Sequence, residues 1–204
     1  MFTGIVEESG EVLERVETDD GLRLWIGCSF ADELRHGESV SVSGACLTVE
    51  EVGEGRFSVF LASETLDRTY LGGLPEGARV NLERAMPADG RFDGNLVQGH
   101  VDATAEVRAI EPVGEDWRFA FSLPESLAPY VVEKGSVTVD GISLTVAARS
   151  EEEYEVAIIP TTYELTTLAE KAVGDPVHLE ADVIAKYVER VAEPYFRRAS
   201  SADR

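Results

Sequence analysis

The chain repeats itself, and this internal duplication restricts the possible folds more than any single motif does. Residues 39–49 recur 97 positions later as residues 136–146, and the match continues without a gap to Glu83 and Glu180. The openings of the two copies, residues 4–12 and 99–107, also match, at a shift of 95 residues. Units of this length are too long for solenoid repeats, so the sequence predicts a duplicated domain.

The predicted domain boundary lies between Asp89 and Asn95. Residues 87–94 are rich in proline, glycine and aspartate, which are typical of turns and linkers. We therefore assign residues 1–94 to an N-terminal domain, residues 95–182 to a C-terminal domain, and residues 183–204 to a helix and tail.

Within each copy, apolar residues alternate with other residues at a period of two, as at Leu22, Leu24 and Ile26, which indicates strands. Short strands between glycine-rich turns favour a small closed antiparallel barrel, because closure removes exposed edges. Ser63 is predicted to cap a short helix, and Thr161 to precede the equivalent turn in the second copy. The predicted fold is therefore all-β, with two homologous barrels.

The chain ends in a segment whose apolar period is near 3.6, which predicts an amphipathic helix. This helix can pack on its own barrel or serve oligomerisation. Its apolar face is predicted to contain Ile184, Tyr187, Val188, Val191 and Tyr195.

Charge excludes several classes of partner. With 39 acidic and 18 basic residues, the formal net charge is −21, which opposes binding to nucleic acid or to anionic membranes. No apolar run reaches the length of a transmembrane helix, so we expect a cytoplasmic protein. Only three basic residues are lysines, which favours adaptation to molar salt over an ordinary acidic cytosolic protein.

Metal and disulfide chemistry are not expected. Cys28 and Cys46 are too few for a disulfide framework and lack the spacing of a zinc site. The three histidines, His36, His100 and His178, are isolated in sequence. We predict free thiols and no metal.

Five motifs, in order within the duplication, resemble those of the riboflavin synthase family from Met1 to about Val191. They are Met-Phe-Thr-Gly-Ile-Val-Glu at residues 1–7, Cys-Leu-Thr-Val at 46–49, Leu-Val-Gln-Gly-His-Val-Asp at 96–102, Asp-Gly-Ile-Ser-Leu-Thr at 140–145, and Ala-Lys-Tyr-Val-Glu-Arg at 185–190. The resemblance implies two six-stranded Greek-key barrels and a homotrimer assembled around the C-terminal helix. It also implies an active site between the N-terminal barrel of one subunit and the C-terminal barrel of its neighbour.

The implied reaction is the dismutation of two 6,7-dimethyl-8-ribityllumazine molecules to riboflavin and 5-amino-6-(D-ribitylamino)uracil. One lumazine gives a four-carbon unit to the other, and no cofactor is needed. An association with lumazine synthase is a further implied partnership. The alternative is a non-catalytic antenna protein that binds a lumazine or flavin. Such a protein degrades its second site, whereas Lys134, Ser143, Leu144 and Thr145 are all present here.

The resemblance also implies two substrate pockets. The first is expected to use Gly4, Ile5, Val6, Cys46, Leu47, Thr48, Phe60, Leu61, Ala62, Ser63, Glu64, Thr65, Gly99, His100 and Val101. The second is expected to use Lys134, Ser143, Leu144, Thr145, Ala157, Ile158, Ile159, Pro160, Thr161 and Thr162.

His100 is the candidate for proton transfer, because histidine titrates near neutrality. Lys134 can stabilise the anion that methyl deprotonation creates, although a lysine before a strand is usually only solvated. Cys46 occupies the repeat position of Ser143, and a buried structural cysteine is almost as good an interpretation as a nucleophile. Small hydroxyls such as those of Thr48 and Thr145 can orient the ring.

Three further residues complete the hypothesis. Phe2 is expected to close the first pocket by packing, and Asp140 and Asp182 to orient neighbouring groups. The sequence departs from the family pattern at Asn95, where histidine is common, as well as at Ser43 and Thr161.

Overall fold

The computed structural model describes residues 1–202, with side chains as far as Pro194. Twelve strands within the described residues form two closed antiparallel barrels of six strands each. The first barrel contains β1 (Glu8–Thr18), β2 (Gly21–Gly27), β3 (Ser39–Val42), β4 (Ala45–Gly53), β5 (Arg56–Ala62) and β6 (Arg79–Arg84). The second contains β7 (Ala103–Val113), β8 (Asp116–Ser122), β9 (Ser136–Val139), β10 (Ile142–Arg149), β11 (Glu153–Ile158) and β12 (Pro176–Ala181).

Both barrels have the same strand order. Around the first barrel the order is β1-β2-β5-β4-β3-β6, and the second follows β7-β8-β11-β10-β9-β12. In each barrel the second strand pairs with the fifth, an order consistent with the predicted Greek key. The all-β prediction of two six-stranded antiparallel barrels is therefore confirmed.

Short helices follow the fifth strand of each barrel, and both start earlier than expected. Helix α1 (Ser63–Arg68) has Ala62 as its N-cap, so Ser63 is the first helical residue and makes no capping bond. Helix α2 (Pro160–Leu165) starts at Pro160, whose fixed φ suits the first turn, so Thr161 lies inside it. The capping predictions were wrong because the extended last residue of the preceding segment takes the N-cap position.

The two barrels meet through equivalent hairpin turns. Ser43 and Gly44 join β3 to β4 with φ values of 44° and 85°, and Asp140 and Gly141 join β9 to β10 with 46° and 80°. Two positive φ values in a two-residue turn match the twist of the flanking strands. A Cβ atom on Gly44 would lie 2.7 Å from the backbone nitrogen of Gly141, so this contact requires glycine.

Two buried side chains cross this interface in equivalent ways. The Asn81 amide donates to the Asp140 carbonyl at 2.8 Å and accepts the Thr167 N–H at 2.8 Å. His178 occupies the same repeat position, with Nδ1 2.7 Å from the Ser43 carbonyl and Nε2 accepting the Tyr70 N–H at 2.9 Å. These partners require a neutral imidazole protonated at Nδ1. Burial lowers the pKa of His178 accordingly.

We expect acid to weaken this interface through His178. Below about pH 6.5 the unfolded histidine binds a proton that the folded one does not, so stability is lost as the pH falls. The loss at pH 5 is at most about 2 kcal/mol. In a His178→Asn variant, the amide can make the two bonds that Asn81 makes. The free energy of unfolding, measured with urea between pH 5 and 7.5, should then depend less on pH than in the parent. His36 is exposed, so His36→Asn should show the pH dependence of the parent. Equal slopes in all three proteins would contradict the prediction.

Helix α3 (Val183–Ala202) follows the second barrel, as predicted. Asp182 accepts the Ile184 N–H at 2.8 Å at its start, so this aspartate orients the helix. The side chain of Tyr195 and the tail from Ala199 lie outside the residues whose side chains are described. No helix in the described part of the chain is long and apolar enough to span a bilayer.

Candidate functional site

The segments that lead into the two barrels are exchanged between them. The backbones of Phe2 and Val97, which are equivalent in the repeat, pair at 2.8 and 3.2 Å. The Gly4 carbonyl then accepts the Ser143 N–H at 2.8 Å, and the Gly99 carbonyl accepts the Cys46 N–H at 2.8 Å. The start of each copy therefore lies against the fourth strand of the other barrel.

Glycine is required at both crossing points. Gly4 has a φ of +76°, and a Cβ atom there would lie 2.6 Å from the Ser143 Cβ atom. Gly99 has a φ of +79° and would place its Cβ atom 2.6 Å from that of Cys46. Left-handed φ and close approach together explain why the repeat retains glycine at both positions.

A buried carboxylate holds each exchanged segment. Glu83 accepts the N–H groups of Thr3 and Gly4 at 2.6 and 2.9 Å. Glu180 accepts the N–H groups of residues 98, 99 and 100 at 2.7, 2.9 and 3.0 Å. Burial raises the pKa of both carboxyl groups, and the N–H donors act against that shift. The sequence paired these glutamates in the repeat but assigned them no role.

A cavity of about 330 Å³ lies where the second exchanged segment crosses the first barrel. This volume is at the small end of the range for small-molecule sites. Seven residues predicted for the first pocket line it, namely Cys46, Leu47, Glu64, Thr65, Gly99, His100 and Val101. Three others were missed, namely Ala45, Arg68 and Thr69.

Local structure brings these side chains together. On β4, Leu47 is buried in the barrel core, so its neighbours Cys46 and Thr48 lie on the outer face. Helix α1 supplies Thr65, whose carbonyl accepts the Thr69 N–H at 3.0 Å and the Thr69 hydroxyl at 2.6 Å. His100 is exposed, and its backbone is held by Glu180. The cavity therefore combines a thiol, an imidazole and small hydroxyls.

The missed residues differ in the signal that they left. Thr65 and Thr69 recur as Thr162 and Thr166, where the hydroxyl-to-carbonyl bond is 2.7 Å, so the repeat itself pointed to this pair. Arg68 leaves no such signal, because its repeat position is Leu165. Its ion pair with Glu64, at 2.6 Å, is exposed and adds little to stability.

On the second barrel, Ser143 occupies the repeat position of Cys46. Gly4, Ile5 and Val6 were assigned from the sequence to the first pocket. Gly4 instead contacts Ser143, and Val6 packs against the core of the second barrel, as Val101 does against the first. Ile5 occupies the position that His100 has at the first pocket. The difference arises because the opening segment crosses to the other barrel, which chain order does not reveal.

The remaining predicted residues fall into three groups. Side chains of Phe2, Leu61 and Ile158 are fully buried, and that of Leu144 nearly so. Thr48, Thr145, Ala62, Ser63, Ala157, Ile159 and Thr161 are exposed, whereas Phe60, Pro160 and Thr162 are half-buried. Lys134 is exposed in a turn with a φ of 64°, at the repeat position of Gly37.

The aspartate expected to orient its neighbours does so between the barrels. Asp140 is fully buried, accepts the His178 N–H at 2.8 Å and pairs with Lys171 at 3.1 Å. It therefore stabilises the turn contact and lies in the interface rather than in the lining of the first cavity.

Comparison with known proteins agrees with the duplication. The model of the lumazine binding domain matches residues 3–85 and 98–182. Riboflavin synthase of Mycobacterium tuberculosis is 53% identical over 197 residues, covering 94% of this chain and 98% of the relative. Riboflavin synthase of Bacillus subtilis is 41% identical over 191 residues, covering 93% and 89%.

Solved structures share the fold. LumP complexed with riboflavin superposes with a TM-score of 0.83 at 22% identity, covering 89% of this chain and 99% of LumP. LumP complexed with 6,7-dimethyl-8-(1'-D-ribityl) lumazine gives a TM-score of 0.81 at 20% identity, with the same coverage. On the sequence identity and coverage of its relatives, the chain belongs to the riboflavin synthase family.

Proposed function

We propose that this chain catalyses the dismutation of two 6,7-dimethyl-8-ribityllumazine molecules to riboflavin and 5-amino-6-(D-ribitylamino)uracil. The observation that carries the proposal is 53% identity to a riboflavin synthase over nearly the whole of both chains. The duplicated architecture supports it, because a reaction between two identical substrates needs two related pockets that hold them in opposed orientations.

We assign proton transfer to the first pocket. His100 is exposed at the cavity, and its backbone is held in place by the buried Glu180. A neutral imidazole can take a proton from the 7-methyl group of a bound lumazine near neutral pH. The second pocket has Ile5 in the equivalent position, so it cannot supply this base from the same place.

The second pocket supplies a hydroxyl where the first has a thiol. Ser143 is half-buried on the outer face of β10, with its backbone held by Gly4. We propose that Ser143, with Thr145, orients the second lumazine, whose C7 receives the carbanion formed at the first. Cys46 and Thr48 take the matching places at the first pocket. Lys134 remains a proposed source of positive charge for the anion.

The active site requires two subunits in this proposal. The cavity on the first barrel, of about 330 Å³, is the size of a site for one small molecule, and we propose that the second lumazine is held by the second pocket of a neighbouring subunit. Helix α3 offers the means of assembly. Its polar face contacts the barrel of the same chain, which leaves the apolar face for a neighbouring subunit. Lys186 pairs with Asp102 at 2.7 Å, and the Tyr130 hydroxyl donates to Glu189.

The apolar face of α3 is exposed, which favours oligomerisation over packing on the own barrel. Ile184, Tyr187, Val188 and Val191 are 55–68% exposed. We propose that this face forms the centre of a homotrimer, in which an N-terminal barrel meets the C-terminal barrel of a neighbour. Lumazine synthase remains a further predicted partner, supported by the family resemblance alone.

Purified protein given only the lumazine should form riboflavin and the ribitylaminouracil in equal amounts, because the four-carbon unit lost by one substrate is gained by the other. Absorbance and chromatography over time measure both products. A requirement for added nicotinamide, flavin or metal would contradict dismutation. A tightly held fluorescent chromophore with no turnover would instead support the antenna alternative, whose fold the LumP structures share.

A further inference from the structure

Asn95 makes a contact that connects the linker between the domains to the second pocket. Its side-chain Nδ2 lies 2.5 Å from Oγ of Ser143. The backbone of Asn95 is itself anchored, because its N–H donates to the Thr3 carbonyl at 2.8 Å. Thr3 is in turn held by the buried Glu83. A continuous set of hydrogen bonds therefore fixes the Asn95 amide against the Ser143 hydroxyl.

The preceding glycine makes this close approach possible. A Cβ atom on Gly94 would lie 2.1 Å from the Thr3 carbonyl oxygen, which no side chain tolerates. The linker therefore runs directly along the N-terminal segment, and Asn95 reaches Ser143 half-buried rather than in open solvent.

A serine hydroxyl has one hydrogen to donate and lone pairs to accept with. When the Asn95 N–H occupies a lone pair of Ser143, the Ser143 hydrogen remains available for another acceptor. A hydroxyl that accepts one hydrogen bond is also a stronger donor of the next. We propose that Asn95 is a positioning residue that makes Ser143 a hydrogen-bond donor to a ring nitrogen or carbonyl of the second lumazine. This inference rests on the proposed function.

The first pocket has a thiol where the second has this hydroxyl, because Cys46 occupies the repeat position of Ser143. The hydroxyl whose direction is set by the Asn95 amide therefore belongs to the second pocket. This contact favours the second pocket as the one that polarises the substrate receiving the new bond.

Three substitutions in the full chain test whether the direction of the hydrogen bond between residue 95 and Ser143 matters, or only its presence. Asn95→His keeps an N–H donor and should stay within about threefold of the parent in kcat/KM. Asn95→Ala removes the donor and should lower kcat/KM by about tenfold. Asn95→Asp has the same shape but accepts the Ser143 hydrogen, so it should be the worst, at about 100-fold. Arg91→Gln changes the net charge equally in the same linker and should match the parent.

A double-mutant cycle identifies the route of the effect. In a Ser143→Ala background, Asn95→Asp should cause little further loss in either lumazine affinity or kcat/KM. Lumazine affinity, measured by fluorescence, gives a result even where turnover is very slow. The inference would be overturned if the kcat/KM of Asn95→Asp equalled or exceeded that of Asn95→Ala. It would also be overturned if Asn95→Asp caused the same loss in the Ser143→Ala background. Failure of the parent protein to form riboflavin would instead reject the proposed function.

Discussion

Replacing Val188 with aspartate should dissociate the subunits and lower riboflavin formation by about 100-fold or more, while each barrel stays folded. Val188 is 61% exposed in the single chain, on the apolar face of α3. In the proposed trimer that face is desolvated, and an unpaired buried charge costs about 3–5 kcal/mol, or about two to four orders of magnitude in association. Loss of assembly lowers catalysis, because each proposed site takes one pocket from each of two chains.

The control for this substitution is Val173→Asp. Val173 is 64% exposed, like Val188, but lies in the loop before β12 rather than on α3. Sedimentation should show the parent mass for Val173→Asp and a monomer for Val188→Asp. Raising the protein concentration should partly restore activity per chain in Val188→Asp, since association follows mass action. A monomeric variant with full activity would contradict a site shared between subunits.

The repeat made the architecture predictable, but it did not predict how the two copies interlock. Alternating apolar residues and glycine-rich turns are local signals, and two aligned copies had to share one strand order. Nothing in the order of residues indicates that Gly4 contacts Ser143 rather than Cys46. That contact depends on the pairing of Phe2 with Val97, which joins positions far apart in sequence.

Comparison of the two copies points to the parts of the site that both retain, whereas Cys46 and His100 were predicted from the family resemblance. Thr65 and Thr69 have repeat partners that make the same bond, so alignment of the copies pointed to them. Arg68 and Leu165 share a position but no chemistry, and Asn95 lies in the linker, outside the residues that match between the copies. The features that distinguish the two pockets are thus the ones that internal comparison misses, because duplication reveals only what both copies kept.

The exchanged segments lead to a crossed effect of the two buried glutamates. Glu180→Gln should disturb the first pocket, although Glu180 belongs to the second barrel. Its two oxygens accept three N–H groups, so an amide nitrogen in either place would face a donor. An unpaired buried donor costs about 1–3 kcal/mol, which lowers the melting temperature by about 2–12 °C in a chain of this size.

Displacement of residues 98–100 should loosen the Gly99 bond to Cys46 and expose that thiol. We therefore expect Glu180→Gln to raise the rate of Cys46 alkylation by about tenfold. A factor of ten corresponds to about 1.4 kcal/mol, which lies within the cost of the unpaired donor. Glu83 holds the other segment, which lies against the second pocket. Glu83→Gln should therefore disturb the second pocket and leave the rate of Cys46 alkylation unchanged. Peptide mapping distinguishes Cys46 from Cys28, whose pKa is raised to about 12 by burial and whose thiol is correspondingly unreactive. A faster Cys46 rate in Glu83→Gln than in Glu180→Gln would mean that each glutamate acts on its own barrel, and equal rates in the two variants would also contradict the crossed effect.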